Sequence, residues 1–127
     1  MALEQPGFSI GFCQAAADYS TTGQFLLVDV SGDLDLTKAS SSGQACLGIL
    51  QDKPGDNEVA NVMVTGVSKL YAGTGDLAAG ALFMADTDGT GITATGTGKY
   101  ALGMVLKGAV AGKLATVVLG VGAGQLN

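Results

Sequence analysis

The sequence predicts an all-β fold, a small barrel or sandwich, from three observations. Its apolar segments are short and set off by Gly-rich turns, and no stretch sustains the 3.6-residue period of a helix. The third observation is an internal two-fold sequence repeat. Phe25-Leu-Leu-Val-Asp-Val-Ser-Gly-Asp-Leu-Asp-Leu-Thr-Lys-Ala39 is echoed by Leu82-Phe-Met-Ala-Asp-Thr-Asp-Gly-Thr-Gly-Ile-Thr-Ala94, and Gly43-Gln-Ala-Cys-Leu-Gly-Ile-Leu50 by Gly98-Lys-Tyr-Ala-Leu-Gly-Met-Val105. Ala60-Asn-Val-Met-Val64 then returns as Ala115-Thr-Val-Val-Leu119, and from Ala39/Ala94 to Val64/Leu119 the offset stays at 55 residues without a gap. Two copies are too few for a solenoid, which needs about three units. They suffice for one small domain with internal pseudo-two-fold symmetry.

Taken in order, the chain opens with a turn-prone lead, Met1 to Gly7, and then Phe8-Ser-Ile-Gly-Phe12. Apolar residues at every second position are a strand pattern, and alternation puts Phe8, Ile10 and Phe12 on one face. An edge strand of the domain's own sheet is one reading. The other is an extended arm, residues 1–14, that adds to a neighbouring subunit. The second is the expectation, because the segment has no partner in the repeat and follows a Pro-Gly turn. Residues 15–127 form a single β-domain with halves at about 15–66 and 72–122. Strands are expected at 24–30, 34–38, 45–51 and 58–65, then at 67–71 bridging the halves. The second copy places them at 81–86, 91–95, 100–107 and 114–121. Helix is confined to a turn or so at 14–18 and 76–79, and the Gly-rich tail from Gly120 is expected to fray or drape over a neighbour.

Composition narrows the function. A chain of 127 residues is one domain by length and buries enough surface to fold without metals or disulfides. Only 13% of residues are charged while 47% are hydrophobic, which leaves apolar surface for a partner. The net charge is −5, and all six basic residues are lysine, scattered along the chain. Arginine supplies the fork that phosphate and guanine recognition favours, so no nucleic-acid partner is expected. No membrane span is expected either: the longest charge-free run, Leu114 to Asn127, falls well short of the ~18 apolar residues a helix needs. The first twelve residues carry Glu4 and no basic residue ahead of the apolar stretch, so no secretion leader is expected.

Catalysis has little to work with. There is no His, the commonest general base and metal ligand. Cys13 and Cys46 match no metal spacing and read as free thiols. Asp86-Thr-Asp88-Gly89 resembles the opening of a calcium loop but lacks the bidentate Glu that closes one, and Asp-Gly is a strong turn signal between strands. The paired carboxylates Asp33/Asp35 and Asp86/Asp88 lie in hydrophilic turns. The Gly-x-Gly pairs lead into no helix that would cradle a phosphate. No enzyme activity and no cofactor are expected, and no catalytic, cofactor or metal residue is assigned.

The segments Gly66-Val-Ser-Lys-Leu-Tyr-Ala-Gly73, Leu77-Ala-Ala-Gly80, Leu82-Phe-Met-Ala-Asp86, Ala101-Leu-Gly103-Met-Val-Leu106 and Ala115-Thr-Val-Val-Leu119 resemble the small phage capsid cement, or head-decoration, proteins. The likeness covers 66–120 directly and 15–65 through the repeat. It implies a β-tulip-like domain that trimerises on the outer surface of an assembled head, over junctions between major capsid proteins. It implies a virion protein, assembled in the host cytoplasm, whose partners are the major capsid protein and itself. Phe8, Ile10 and Phe12 are then the candidate capsid or subunit contacts. The competing expectation is a non-enzymatic β-module of a phage tail or fibre that binds a surface glycan or a partner protein.

Overall fold

The computed structural model describes residues 5–127, the side chains of Gln5 and Pro6 excepted. Nine strands carry this part of the chain: β1 (Gln5–Ala15), β2 (Leu27–Gly32), β3 (Asp35–Lys38), β4 (Gly48–Leu50), β5 (Val59–Tyr71), β6 (Leu82–Ala85), β7 (Gly91–Thr93), β8 (Tyr100–Lys107) and β9 (Leu114–Gln125). The described residues contain no helix, and the segments at 16–18 and 76–79 are bends, bridges and turns. The fold is all-β.

All nine strands belong to one sheet that curls into two rings. Strands β1, β3, β2, β4 and β5 follow one another, and β5 pairs back onto β1, which closes the first ring. Strands β5, β9, β8, β6 and β7 make the second, closed by a parallel bridge from Ala72, just beyond β5, to Gly91 in β7. The rings share β5, whose first half pairs with β1 and β4 and whose second half pairs with β9. At the crossing, Gly66 adopts φ 120 and lies against Gly7 of β1, where a Cβ on either residue would collide with the other's backbone.

The 55-residue spacing recurs in the ladder. Val28 faces Lys38 and Val30 faces Leu36; 55 positions on, Phe83 faces Thr93 and Ala85 faces Gly91. Val28 also faces Gly48 as Phe83 faces Gly103, and Leu50 faces Val62 as Val105 faces Val117. Turn hydrogen bonds follow the same spacing. Ala39 donates to the Leu27 carbonyl and Ala94 to that of Leu82; Leu50 donates to Leu26 and Val105 to Ala81.

Strand β1 has a counterpart too, the second half of β5. Cys13 faces Ala60 as Leu70 faces Ala115, and Gln14 faces Val59 as Tyr71 faces Leu114. The Ala15 amide donates to the Glu58 carbonyl as the Ala72 amide donates to that of Lys113, each at 2.9 Å. A bulge between Ile10 and Cys13 takes an extra residue, which shifts the offset along this strand. Residues 5–15 are therefore a wall of the first ring, and the expected boundary between a 1–14 arm and a domain beginning at 15 does not match the sheet. Without β1, both β3 and β5 would present unpaired edges. The expected loose tail is corrected likewise: β9 continues to Gln125, pairing Ala101 with Gly124 and Tyr100 with Gln125.

Each ring is filled from its own strands. Cys13, Ala15, Tyr19, Val28, Leu36, Leu50, Ala60 and Val62 pack inside the first, where the Tyr19 hydroxyl accepts the Lys38 amide at 2.9 Å. Leu70, Ala72, Leu77, Phe83, Val105, Ala115 and Val117 fill the second and continue into a seam made by Leu27, Ala39, Ile49, Met63, Ala85 and Leu119. Among the described residues three other than glycine adopt positive φ, namely Phe25 (64), Leu34 (60) and Asn57 (65). Fifty-five positions on, each is a glycine with positive φ: Gly80 (88), Gly89 (78) and Gly112 (82). Leu34 is exposed in its turn, so Leu34→Gly removes backbone strain with little loss of burial. It should stabilise the chain by about 0.5–1 kcal/mol in urea unfolding; a destabilised variant would show that the leucine side chain holds the turn.

Candidate functional site

The three residues expected at a contact surface do not share one environment. Phe8 and Phe12 are 62% and 67% exposed, whereas Ile10 is half-buried and packs against the first ring's core. Bulges on either side of Ser9 and Ile10 separate them. Both outward aromatics lie on β1, and the exposed Val59 of β5 pairs with Gln14 nearer the end of that strand. Two large apolar rings thus face solvent on one strand, while Ile10 packs against the interior.

The acidic turn works as a structural pin. Asp86 is buried, and its carboxylate accepts the Thr74 amide at 3.1 Å, the Thr74 hydroxyl at 3.0 Å and the Thr87 amide at 2.8 Å. Burial pushes its pKa up, but the hydrogen bonds from Thr87 and Thr74 outweigh it and hold the carboxyl below the usual range. Asp88, two residues on, is exposed, so the two carboxylates do not converge. Among the described residues no three His, Cys, Asp or Glu side chains gather as a metal site would require. Of the other pair, Asp35 accepts the Gln14 side-chain amide at 3.0 Å.

Both cysteines are free thiols, Cys13 inside the first ring and Cys46 half-buried at the seam. Burial, reinforced by the nearby Asp29 charge, pushes the Cys46 thiol up to about 12 from an ordinary 9.0. A thiol held protonated at neutral pH is a poor nucleophile. The sign of its linkage follows. The unfolded chain releases this proton first, so the stability it contributes is complete below pH 9.0 and is lost as pH rises towards about 12. Cys46→Ala should therefore flatten the alkaline decline in melting temperature; an unchanged decline would assign it wholly to other groups.

Cavities among the described residues open on the surface. One of about 330 Å³ is lined by Thr21, Thr22, Gly23, Gln24, Leu26, Lys53 and Tyr71. Another of about 200 Å³ lies at the seam, where Leu47 meets Leu102 and Val64 meets Leu119, residues 55 positions apart. No carboxylate lines either one. Sequence reasoning missed both, since each is assembled from loops or strands distant along the chain.

The sequence matches no protein-family model and no curated protein. The fold, however, is found among solved structures. The chain is similar to the head fiber gp8.5 N base of bacteriophage phi29, with a TM-score of 0.71 at 17% identity. The likeness covers 94% of this chain and 99% of that one, so the two share their architecture from end to end.

Proposed function

We propose that this chain is a structural protein of a phage head, a decoration or cement protein on the outer surface of the assembled shell. The observation that carries the reading is the end-to-end likeness to a phage head-fiber base. The resemblance of the 66–120 segment to head-decoration proteins supports it independently. The partners are the major capsid protein and further copies of this chain, arranged as trimers at three-fold and quasi-three-fold sites. Stabilisation arises by mass action, because a protein that binds only the assembled lattice shifts the equilibrium towards that lattice, with many copies acting together.

Phe8 and Phe12 are the residues that would meet the shell or a neighbouring subunit. Burying two such rings contributes about 3–6 kcal/mol before ordering costs are subtracted. Purified protein mixed with undecorated capsids should co-sediment with them and raise the temperature at which the shells open. The variant Phe8→Ser/Phe12→Ser, whose exposed side chains contribute little to folding, should remain folded and bind weakly. Wild-type protein left in the supernatant would end this reading and favour the tail or fibre module.

A further inference from the structure

The duplicated ladder makes each ring a control for the other. The outer face of the first ring carries Leu27, Ile49 and Met63, which are buried in the seam with the second ring. The same positions in the second ring are Leu82, Met104 and Val118, and these are only half-buried. The covering side of the seam is equally specific. From the second ring, the Gly89 carbonyl accepts the Leu27 amide at 2.6 Å, and the Ala85 carbonyl accepts the Gly43 amide at 2.8 Å. Their counterparts in the first ring, Leu34 and Val30, stand 54% and 49% exposed.

The chain thus contains one filled joint and the two unmatched halves of another. The filled joint runs one way, with the β6–β7 turn of the second ring on the β2 face of the first, while the β2–β3 turn stands in solvent. A two-fold arrangement would bury both turns alike, so the joint is head-to-tail. We propose that a second copy of this chain completes the open joint, seating its Leu34 and Val30 on the Leu82, Met104 and Val118 face. The receiving face is apolar, and Leu34 and Val30 offer apolar side chains from a turn that also carries Asp33, so side chains make this contact where the internal seam uses the backbone of Gly89 and Ala85. This inference rests on the self-association part of the proposed function, and repeated around an axis it gives a closed cycle of copies.

The test uses the full chain without capsids, so that it stands apart from shell binding. Sedimentation velocity up to millimolar protein should show an oligomer for the wild type. Leu34→Asp, on the open turn, and Met104→Glu, on the receiving face, should each be folded by circular dichroism and unable to close the cycle. Mixed one to one, they should form a heterodimer and stop there, because only one intact joint remains. Should Met104→Glu not fold, Leu82→Gln takes its place. A monomeric wild type would overturn the proposal, as would a mixture that stays monomeric. So would an oligomer lost in Leu34→Asp but intact in Met104→Glu, which would mean that two turns meet face to face. A monomeric wild type whose two variants both lose capsid co-sedimentation would give these faces to the capsid and leave the proposed function standing.

Discussion

Replacing Phe83 by alanine should destabilise the protein by about 3–5 kcal/mol. Phe83 is fully buried at the centre of the second ring, on β6, opposite Gly103 of β8. Its counterpart is Val28 opposite Gly48, so the second ring places a full aromatic where the first uses a smaller side chain. Removing the ring leaves a void among Leu70, Leu77, Val105 and Val117, on strands tied together by the shared ladder and unable to collapse onto it. A domain of this size holds about 5–15 kcal/mol in total, so this single change consumes a large share. The urea midpoint should fall with an unchanged slope, since the surface exposed on unfolding is nearly the same. Phe8→Ala, at an exposed site, should shift stability by no more than about 0.5 kcal/mol. A Phe83→Ala cost as small as that of Phe8→Ala would mean that the aromatic does not fill the ring.

Gly103→Val and Gly48→Val should each cost at least ~3 kcal/mol or prevent folding, through overpacking at a crowded backbone. A Cβ at Gly103 would lie inside contact distance of the Val118 carbonyl oxygen and against the Phe83 ring. One at Gly48 would meet the Met63 carbonyl oxygen and the Val62 side chain in the same way. These obstacles are mainly backbone, so a rotamer change cannot relieve them, and β8 must part from β9 or β4 from β5. The loss should be severe at Gly48, because β4 spans only Gly48–Leu50 and joins β2 to β5 on one side of the first ring, so that its loss opens the closed ring and leaves only the path through β3 and β1. Gly75→Ala is the control, since its Cβ meets nothing within 4 Å and its φ is not in the left-handed region. Hydrogen exchange would report the lost strand contacts directly. Equal stability for Gly75→Ala and the two valine variants would refute the close approach.

What the sequence determined by itself was local. Alternating apolar residues and turn glycines placed the all-β class and the strand at Tyr100–Lys107, and the 55-residue echo ran through positions that later proved to share a register. These signals are legible because a turn or a pleat is specified by the residues that form it. The tertiary structure decided the rest. The relation of Cys13 to Leu70 and of Ala15 to Ala72 was invisible, because a bulge changes the offset and the aligned residues have little more in common than being apolar. Closure of the first ring by β1 was likewise undecided, since alternation at Phe8, Ile10 and Phe12 describes a strand without naming its partner. Asp86 resembled the opening of a calcium loop in the sequence, and only the fold brings Thr74, twelve residues earlier, to donate to its carboxylate beside the adjacent Thr87. Most telling are Leu27, Ile49 and Met63, buried, against Leu82, Met104 and Val118, half-open. Equivalent places in two copies of one pattern differ because burial depends on what lies opposite, and only the packed chain settles which ring is covered.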